Sequence, residues 1–513
     1  MAGRSADRRS TRRSTRVRTV PQRPWSQPRL PYAPIEILSA DQIEAIHRTA
    51  LTVLQEVGMR ILEPKARGLL AAAGASVDED DLRVRFDPAM VEEWVARAPA
   101  EFTLSVRNPA HNLHVGGRHT FFAAVGGPAF CSDLDRGRRA GTYAEMCDYL
   151  KLIQSLNILH QEGGGPFEAL DLPAGTRHLD LYYAQNTLMD KNWQPQGLGR
   201  ERVLDALEMA AIALGTTREG LLATPVFTCI INTNSPLLLD IPMAEGLVTL
   251  AEHGQAVVLT PFTLAGAMAP ITLAGALAQQ HAEILAGIAL CQIVRPGAPV
   301  MYGGFTSNVD MKSGSPAFGT PEYTQAAQAS GQLARRIGVP FRSSNVTAAN
   351  AVDAQAAYES AMSLWGALLG GAHLLNQAAG WLEGGLTASF EKLIVDAEML
   401  QMMAAYFAPM EISEASLALD AVREVGPGGH YFGTAHTLER YESAFYVPLV
   451  SNWDNYETWL AAGGITASQR ANGIWKRMLA EYEPPPLDPA TDEALREYVA
   501  RRKRELAMHP IGA

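Results

Sequence analysis

From about residue 118 to residue 385 one local pattern recurs eight times: an apolar β-type run ending in Gly, Asn, Thr or Glu, then a helical segment. The runs cover residues 120–127, 157–164, 192–199, 225–234, 256–264, 299–308, 340–347 and 374–381. Eight such units in about 270 residues match the count and length of a closed (β/α)8 barrel. The expected fold class is therefore α/β: a (β/α)8 TIM barrel with an N-terminal α/β extension and a C-terminal helical region. In such a barrel the chemistry sits at the C-terminal ends of the strands, so the repeat also says where functional residues belong.

Four segments follow from this reading. Residues 1–31 hold an Arg-rich tail, with nine arginines and one acidic residue in the first 30, expected to be disordered and solvated. An electrostatic arm for an acidic partner is the alternative; a transit peptide is disfavoured because no amphipathic face can be drawn. Residues 32–117 form the extension, in which Ser39 and Gln42 suggest a capping box ahead of a helix that Gly58 ends. Residues 118–406 form the barrel. Residues 407–513 pack on it, ending in a charged helix, and the aromatic stretch around 431–459 is expected to support a homo-oligomer.

A net charge of −11 argues against nucleic-acid binding. Cys131, Cys147, Cys229 and Cys291 are far apart, which gives no zinc signal and suits a reducing cytoplasm. Two apolar segments, 262–273 and 362–375, are broken by polar residues, Gly or Pro and read as buried helices. No membrane span and no secretory leader are expected.

The strand ends are rich in Gly, Asn, Thr and aromatics and poor in acid–base pairs. Glycines at 126–127, 163–165 and 303–304 either make tight turns or keep a wide mouth open. Glu162 and Glu383 are mouth carboxylates that can serve as general base, counter-ion or helix cap. Phe262, Tyr302, Phe305 and Trp381 either fill the top packing layer or converge to hold a cation by cation–π attraction. His160, Asp310 and Asp353 lack a second ligand at metal spacing, so no metal is expected.

Longer strings carry a family resemblance: Ala124-Val125-Gly126-Gly127-Pro128, Ile231-Asn232-Thr233-Asn234-Ser235-Pro236, Thr260-Pro261-Phe262-Thr263-Leu264-Ala265-Gly266-Ala267, Phe318-Gly319-Thr320-Pro321-Glu322 and Gly380-Trp381-Leu382-Glu383-Gly384-Gly385. From about Leu38 to the last helix the chain resembles the trimethylamine methyltransferase family. That resemblance implies an enzyme moving a methyl group from a methylated amine to the cobalt of a separate corrinoid protein, with no permanently bound cofactor. Archaeal members carry pyrrolysine at the end of the seventh strand, and matching the segment around Asn345-Val346-Thr347 puts that position at Val346. Valine has no electrophilic imine, so the chain resembles the pyrrolysine-lacking branch, which demethylates quaternary amines such as glycine betaine.

On that reading Phe262, Tyr302, Phe305 and Trp381 cage the ammonium, and Glu162 or Glu383 adds negative potential. Asn232, Asn234 and Asn345 bind the substrate carboxylate, and the glycine-rich mouth admits the corrin face. A quaternary nitrogen leaves as a neutral tertiary amine, which accounts for a mouth without a general acid. Two rivals stand beside it: a corrinoid-independent barrel lyase or decarboxylase using Glu162 as base, and a non-catalytic betaine-binding protein.

Overall fold

The computed structural model of the protein describes residues 20–509 and residue 511. Its centre is a six-stranded parallel sheet in the spatial order Phe121–Ala124, Leu374–Ala379, Phe341–Ser344, Val300–Gly303, Ala256–Leu259 and Thr228–Ile231. The first and last strand–helix units are thus neighbours, as closure of a barrel requires. The architecture is mixed α/β with a parallel half-barrel sheet. Helices Tyr143–Ser155, Arg177–Leu188, Arg200–Ala213, Ile241–Glu252, Leu273–Val294, Pro321–Arg336, Ala354–Leu369 and Phe390–Phe407 lie where the repeat requires them.

Two expected strands do not form. In the second and third runs Gln161 and Asn192 alone keep the pattern, through isolated parallel bridges of Gln161 to Ala123 and to Asn192. Pro195 has no N–H to give a ladder, and Gly163–Gly165 raise the entropic cost of an extended run. A few backbone bonds join them, Ala124 N–H to the Gln161 carbonyl and Glu162 N–H to the Asn192 carbonyl, and side-chain amides add to these. Gln161 Nε2 donates to Thr228 Oγ1 at 3.0 Å, and Asn192 Nδ2 to the Val226 carbonyl at 2.8 Å.

Alternation along the strands separates two cores. Phe121, Ala123, Ala256, Val258, Met301 and Leu374 face one cluster together with Leu104, Leu113 and Val115. Their neighbours Phe122, Ala124, Val257, Leu259, Val300 and Tyr302 face the helices. The first cluster is the lower interior of the sheet, and the hairpin of Phe102–Leu104 with Leu113–Val115 closes it.

A strap also crosses this end, which corrects the expectation for residues 20–31. There Val20, Pro28 and Leu30 are buried and Trp25 packs on His111 and His160. Gln22 donates to the Ser155 carbonyl, and Thr120 N–H donates to the Pro28 carbonyl. An arginine-rich composition hides these spaced apolar residues. The Arg-rich tail expected over residues 1–19 lies outside the described residues.

The extension starts as expected: Ser39 and Gln42 form a reciprocal capping box on Ala40–Thr52, and Gly58 closes the following turn at φ +75°. Ala40–Thr52, Pro64–Ala72 and Pro88–Val95 cover Leu273–Val294. This explains how a 22-residue helix with almost no polar face stays out of water. Among the described residues no helix is long and apolar enough to cross a membrane. The C-terminal helices dock on the outside, Ala467–Ala480 on Phe390–Phe407 and Pro489–Met508 on the Arg177–Leu188 and Arg200–Ala213 pair.

Candidate active site

Above the C-terminal strand ends the chain adds two small sheets. Thr263–Ala265 pairs with Thr306–Val309 and that with Pro316–Ala317; Phe130–Asp133 pairs with Gly137–Ala140 and with the hairpin Trp381–Leu382/Thr387–Ser389. These loops carry aromatic rings inward. Phe262 and Phe305 lie 5.4 Å apart between centroids, and Phe305 and Trp381 6.3 Å. Phe318 meets Phe305 at 5.8 Å and Trp381 at 6.1 Å, and Tyr323 closes the group at 6.3 Å from Phe318. The Trp381 indole N–H donates to the Thr347 carbonyl, tying the eighth unit to the seventh.

Three of the four aromatics expected to converge therefore do so. Tyr302 does not: it points into the helix layer, where its hydroxyl accepts from Gln280 Nε2 and is hydrogen-bonded to His281 Nδ1 at 3.1 Å. The strand's alternation decides this, since Tyr302 falls on the outward parity of Val300–Gly303. Phe318 and Tyr323 take part although they lie at the end of a loop and inside a helix, away from any strand end.

The carboxylates have structural duties. Glu162 is fully buried; its oxygens accept from Gly164 N, Gly165 N and Gln185 Nε2, so it holds the loop of its own unit. Burial pushes its pKa up to about 7 even against those donors. Glu283 does the same for the loop after Thr228–Ile231, accepting from Thr233, Ser235, Leu237 N and Gln279. Glu359 does so after Phe341–Ser344, accepting from Thr347, Ala348 N and Ala349 N. Neither helix-borne glutamate was visible as a site residue: the partner loop of Glu283 is distant in sequence, and Glu359 sits inside a helix, away from any strand end.

Glu383 sits at the rim, bound to Arg138 Nε at 2.7 Å and Thr387 Oγ1 at 2.5 Å. Burial alone would raise its pKa, but these two partners outweigh it and hold the carboxyl below the usual range.

The asparagines expected to bind a carboxylate are engaged elsewhere. Asn232 Nδ2 donates to the Thr260 carbonyl and Asn345 Nδ2 to the Ala378 carbonyl, each stitching two strand ends together. Asn234 is exposed and exchanges hydrogen bonds with Asp240. Val346 is fully buried in the main core, its carbonyl accepting from Ser363.

Gly126, Gly163, Gly303 and Gly304 serve close packing, whereas Gly127 and Gly164 supply turns at positive φ. A Cβ on Gly126 would stand 1.9 Å from the Gly163 carbonyl oxygen, and one on Gly303 2.1 Å from Thr260 Oγ1.

His160 uses both ring nitrogens, one accepting from Phe122 N and the other donating to the Ser26 carbonyl; burial pushes its pKa down to about 3. Asp353 caps Ala354–Leu369, and Asp310 closes a turn with Lys312 and Ser313. Among the described residues no group of three His, Cys, Asp or Glu is arranged to hold a metal.

One site residue was missed altogether. Arg342, on the inward parity of Phe341–Ser344, is 2% exposed. Its Cζ lies 5.2 Å from the Phe305 ring centre, and Nη2 donates to Gln377 Oε1 at 3.0 Å. Gln377 stands at φ +47° within a register shift of Leu374–Ala379, a bulge that turns its side chain to accept from Arg342 and from Ser344. The signal available was an arginine inside a buried parallel strand, where a charge is seldom placed without a purpose.

A sequence profile of the trimethylamine methyltransferase (MTTB) family matches residues 2–507. The chain is 38% identical over 471 residues to the glycine betaine methyltransferase of Desulfitobacterium hafniense (strain Y51), covering 92% of this chain and 98% of that protein. It is 27% identical over 476 residues to trimethylamine methyltransferase MttB of Desulfitobacterium hafniense (strain DSM 10664 / DCB-2), with coverages of 91% and 94%. The crystal structure of Methanosarcina barkeri monomethylamine methyltransferase (MtmB) is similar at 11% identity and a TM-score of 0.43, covering 87% of this chain and 93% of that one. The profile match and the two sequence relatives put the chain among the methyltransferases. It belongs to the trimethylamine methyltransferase family.

Proposed function

We propose that this protein takes a methyl group from a quaternary amine, glycine betaine or a similar betaine, and delivers it to the Co(I) of a separate corrinoid protein. The observation that carries the reading is the convergence of Phe262, Phe305, Phe318 and Trp381 above the strand ends, beside no free acid–base pair. Aromatic faces attract a quaternary ammonium, which offers no N–H for hydrogen bonding. The 38% identity to a glycine betaine methyltransferase supports the substrate class. Val346, where the family resemblance puts pyrrolysine, supports it too, because a saturated side chain cannot capture a tertiary amine covalently.

The protein's share of the work is then positioning and electrostatics. The rings hold the cationic head and exclude water. As the methyl leaves for the partner's cobalt, the C–N bond breaks with its electron pair on nitrogen, and a neutral tertiary amine departs without protonation. Bridges through Gln161 support closure of the six-stranded sheet into the full eight-unit barrel. Self-association is supported by Met410, Phe432, Phe445 and Trp453, all strongly exposed on the segment between the barrel and the last two helices. Few cysteines and the absence of any disulfide among the described residues support a cytoplasmic location.

The base-catalysed lyase alternative loses its base, since the oxygens of Glu162 already serve Gly164, Gly165 and Gln185. The test is direct: mix the purified protein with a Co(I)-charged corrinoid protein and glycine betaine, proline betaine or carnitine. Methyl-Co(III) absorbance is expected with at least one. None with any betaine would end the proposal, and binding without transfer would favour a non-catalytic betaine-binding protein.

A further inference from the structure

Arg342 stands out among the buried charges. The other buried cation of the barrel strands and their helices, Lys392, has Asp396 at 2.5 Å and Ser360 at 2.8 Å. Arg342 has one hydrogen bond, from Nη2 to a neutral amide oxygen. Its Nε and Nη1 are buried and have no hydrogen-bond partner among the described residues. Burial pushes the guanidinium pKa down to about 10, partly opposed by Tyr323, so it remains charged at neutral pH. A buried cation with unused N–H donors is costly to keep, and an anion that accepts from it is what offsets the cost.

Its surroundings restrict that anion. Phe305, which touches Arg342 from one side, is also the ring that meets Phe262, Phe318 and Trp381. A ligand spanning Arg342 and this cluster must therefore carry a negative group close to an apolar or cationic one. The Gln377 bulge holds Nη2 in place while leaving Nε and Nη1 to the ligand. Of the asparagines expected to take the negative end, Asn232 and Asn345 donate to backbone carbonyls and Asn234 to the Asp240 carboxylate.

We infer that Arg342 is the carboxylate receptor of the site, so that its substrate is a short zwitterion, with a quaternary ammonium against the aromatic cluster and a carboxylate on the guanidinium. This rests on the betaine reading above and assigns recognition of the carboxylate to one residue: cations without a carboxylate, such as choline and tetramethylammonium, are poor ligands. Arg342 then sets specificity, because a charged hydrogen-bond donor left unpaired penalises every ligand that cannot satisfy it.

Isothermal titration calorimetry on the full chain without corrinoid partner tests this. The ligands are glycine betaine, its methyl ester, which keeps the ammonium but loses the negative charge, and tetramethylammonium. The wild-type protein is expected to prefer glycine betaine over the ester by at least about tenfold. In Arg342→Gln that preference should shrink to about twofold or less while tetramethylammonium binds no worse, and Arg342→Lys should fall between. If Arg342→Gln does not fold, the wild-type ester comparison and Arg342→Lys carry the test. A wild type that binds all three ligands equally, or an Arg342→Gln that keeps the tenfold preference, overturns the inference and leaves the cation site intact. A wild type that binds no quaternary amine overturns the cation site itself and this inference with it.

Discussion

Two aromatic residues that look alike at neighbouring strand ends have different duties, and substitution should separate them. Phe262 is half-buried on the aromatic cluster, whereas Tyr302 is locked to Gln280 and His281 in the helix layer. Phe262→Ala is expected to weaken glycine betaine binding by roughly 0.5–2 kcal/mol with little change in stability, read by calorimetry and denaturant melts. Tyr302→Phe is expected to lower stability by about 1 kcal/mol and leave binding untouched. Equal effects of the two on binding would restore Tyr302 to the cage.

Glu162 makes a pH prediction. Its folded pKa of about 7 lies above the unfolded value near 4.5, so the native state holds an extra proton between these limits. Stability is then fully present below about pH 4.5 and falls as pH rises to 7, by about 3 kcal/mol in all from this group. Urea melts at pH 5 and pH 8 should show the loss in the wild-type protein and a flattened slope in Glu162→Gln. Identical slopes would exclude Glu162 as the titrating group. That Phe262, Phe305 and Trp381 lie together at the strand ends was legible in the sequence, whereas the part played by Phe318 and Tyr323 was not. Which way each strand-end side chain points was not legible either, because a one-residue change in parity turns a ligand-facing side chain into a core one.

The strand–helix units show where pattern reading holds. Helix bounds follow apolar periodicity and caps: Thr142 with Glu145 caps Tyr143–Ser155, and Pro321 opens Pro321–Arg336 at a position that tolerates it. The second and third runs fail as strands because Gly163–Gly165 and Pro195 interrupt them, and the few backbone bonds left around Gln161 are supplemented by the side-chain amides of Gln161 and Asn192. The first two units touch backbone to backbone at Gly126 and Gly163. Gly126→Ala would put a Cβ 1.9 Å from the Gly163 carbonyl oxygen and is expected to cost about 2 kcal/mol or more, measured by thermal or urea unfolding. A neutral result would mean that the two loops can separate freely. The buried glutamates Glu283 and Glu359 belong to the same level: Glu283 hangs from one unit's helix and holds an earlier unit's loop, and Glu359 holds the loop that leads into its own helix. No local pattern announces such a role.

For the molecule as a whole, the ends of the chain matter more than composition suggests. The 20–31 strap covers the lower end of the sheet with Trp25 and buries Val20 and Leu30. Removing residues 1–31 is expected to lower the melting midpoint by roughly 5 °C or more, checked by scanning calorimetry; an unchanged midpoint would show that the strap adds no stability. Phe432→Asp together with Phe445→Asp is expected to reduce self-association in sedimentation velocity, and an unchanged oligomer would place the contact elsewhere.

Alternation of apolar runs and helical periods was enough to set the order of the helices and of six parallel strands, because those depend on short-range periodicity and chain connectivity. It could not show that Tyr302 faces a helix, that three glutamates anchor loops, or that Arg342 stands unpaired beneath Phe305. Those facts depend on parity, on a bulge at Gln377 and on contacts between segments far apart in the chain. Such contacts exist only once the strands have taken a register, and the register is a property of the folded sheet.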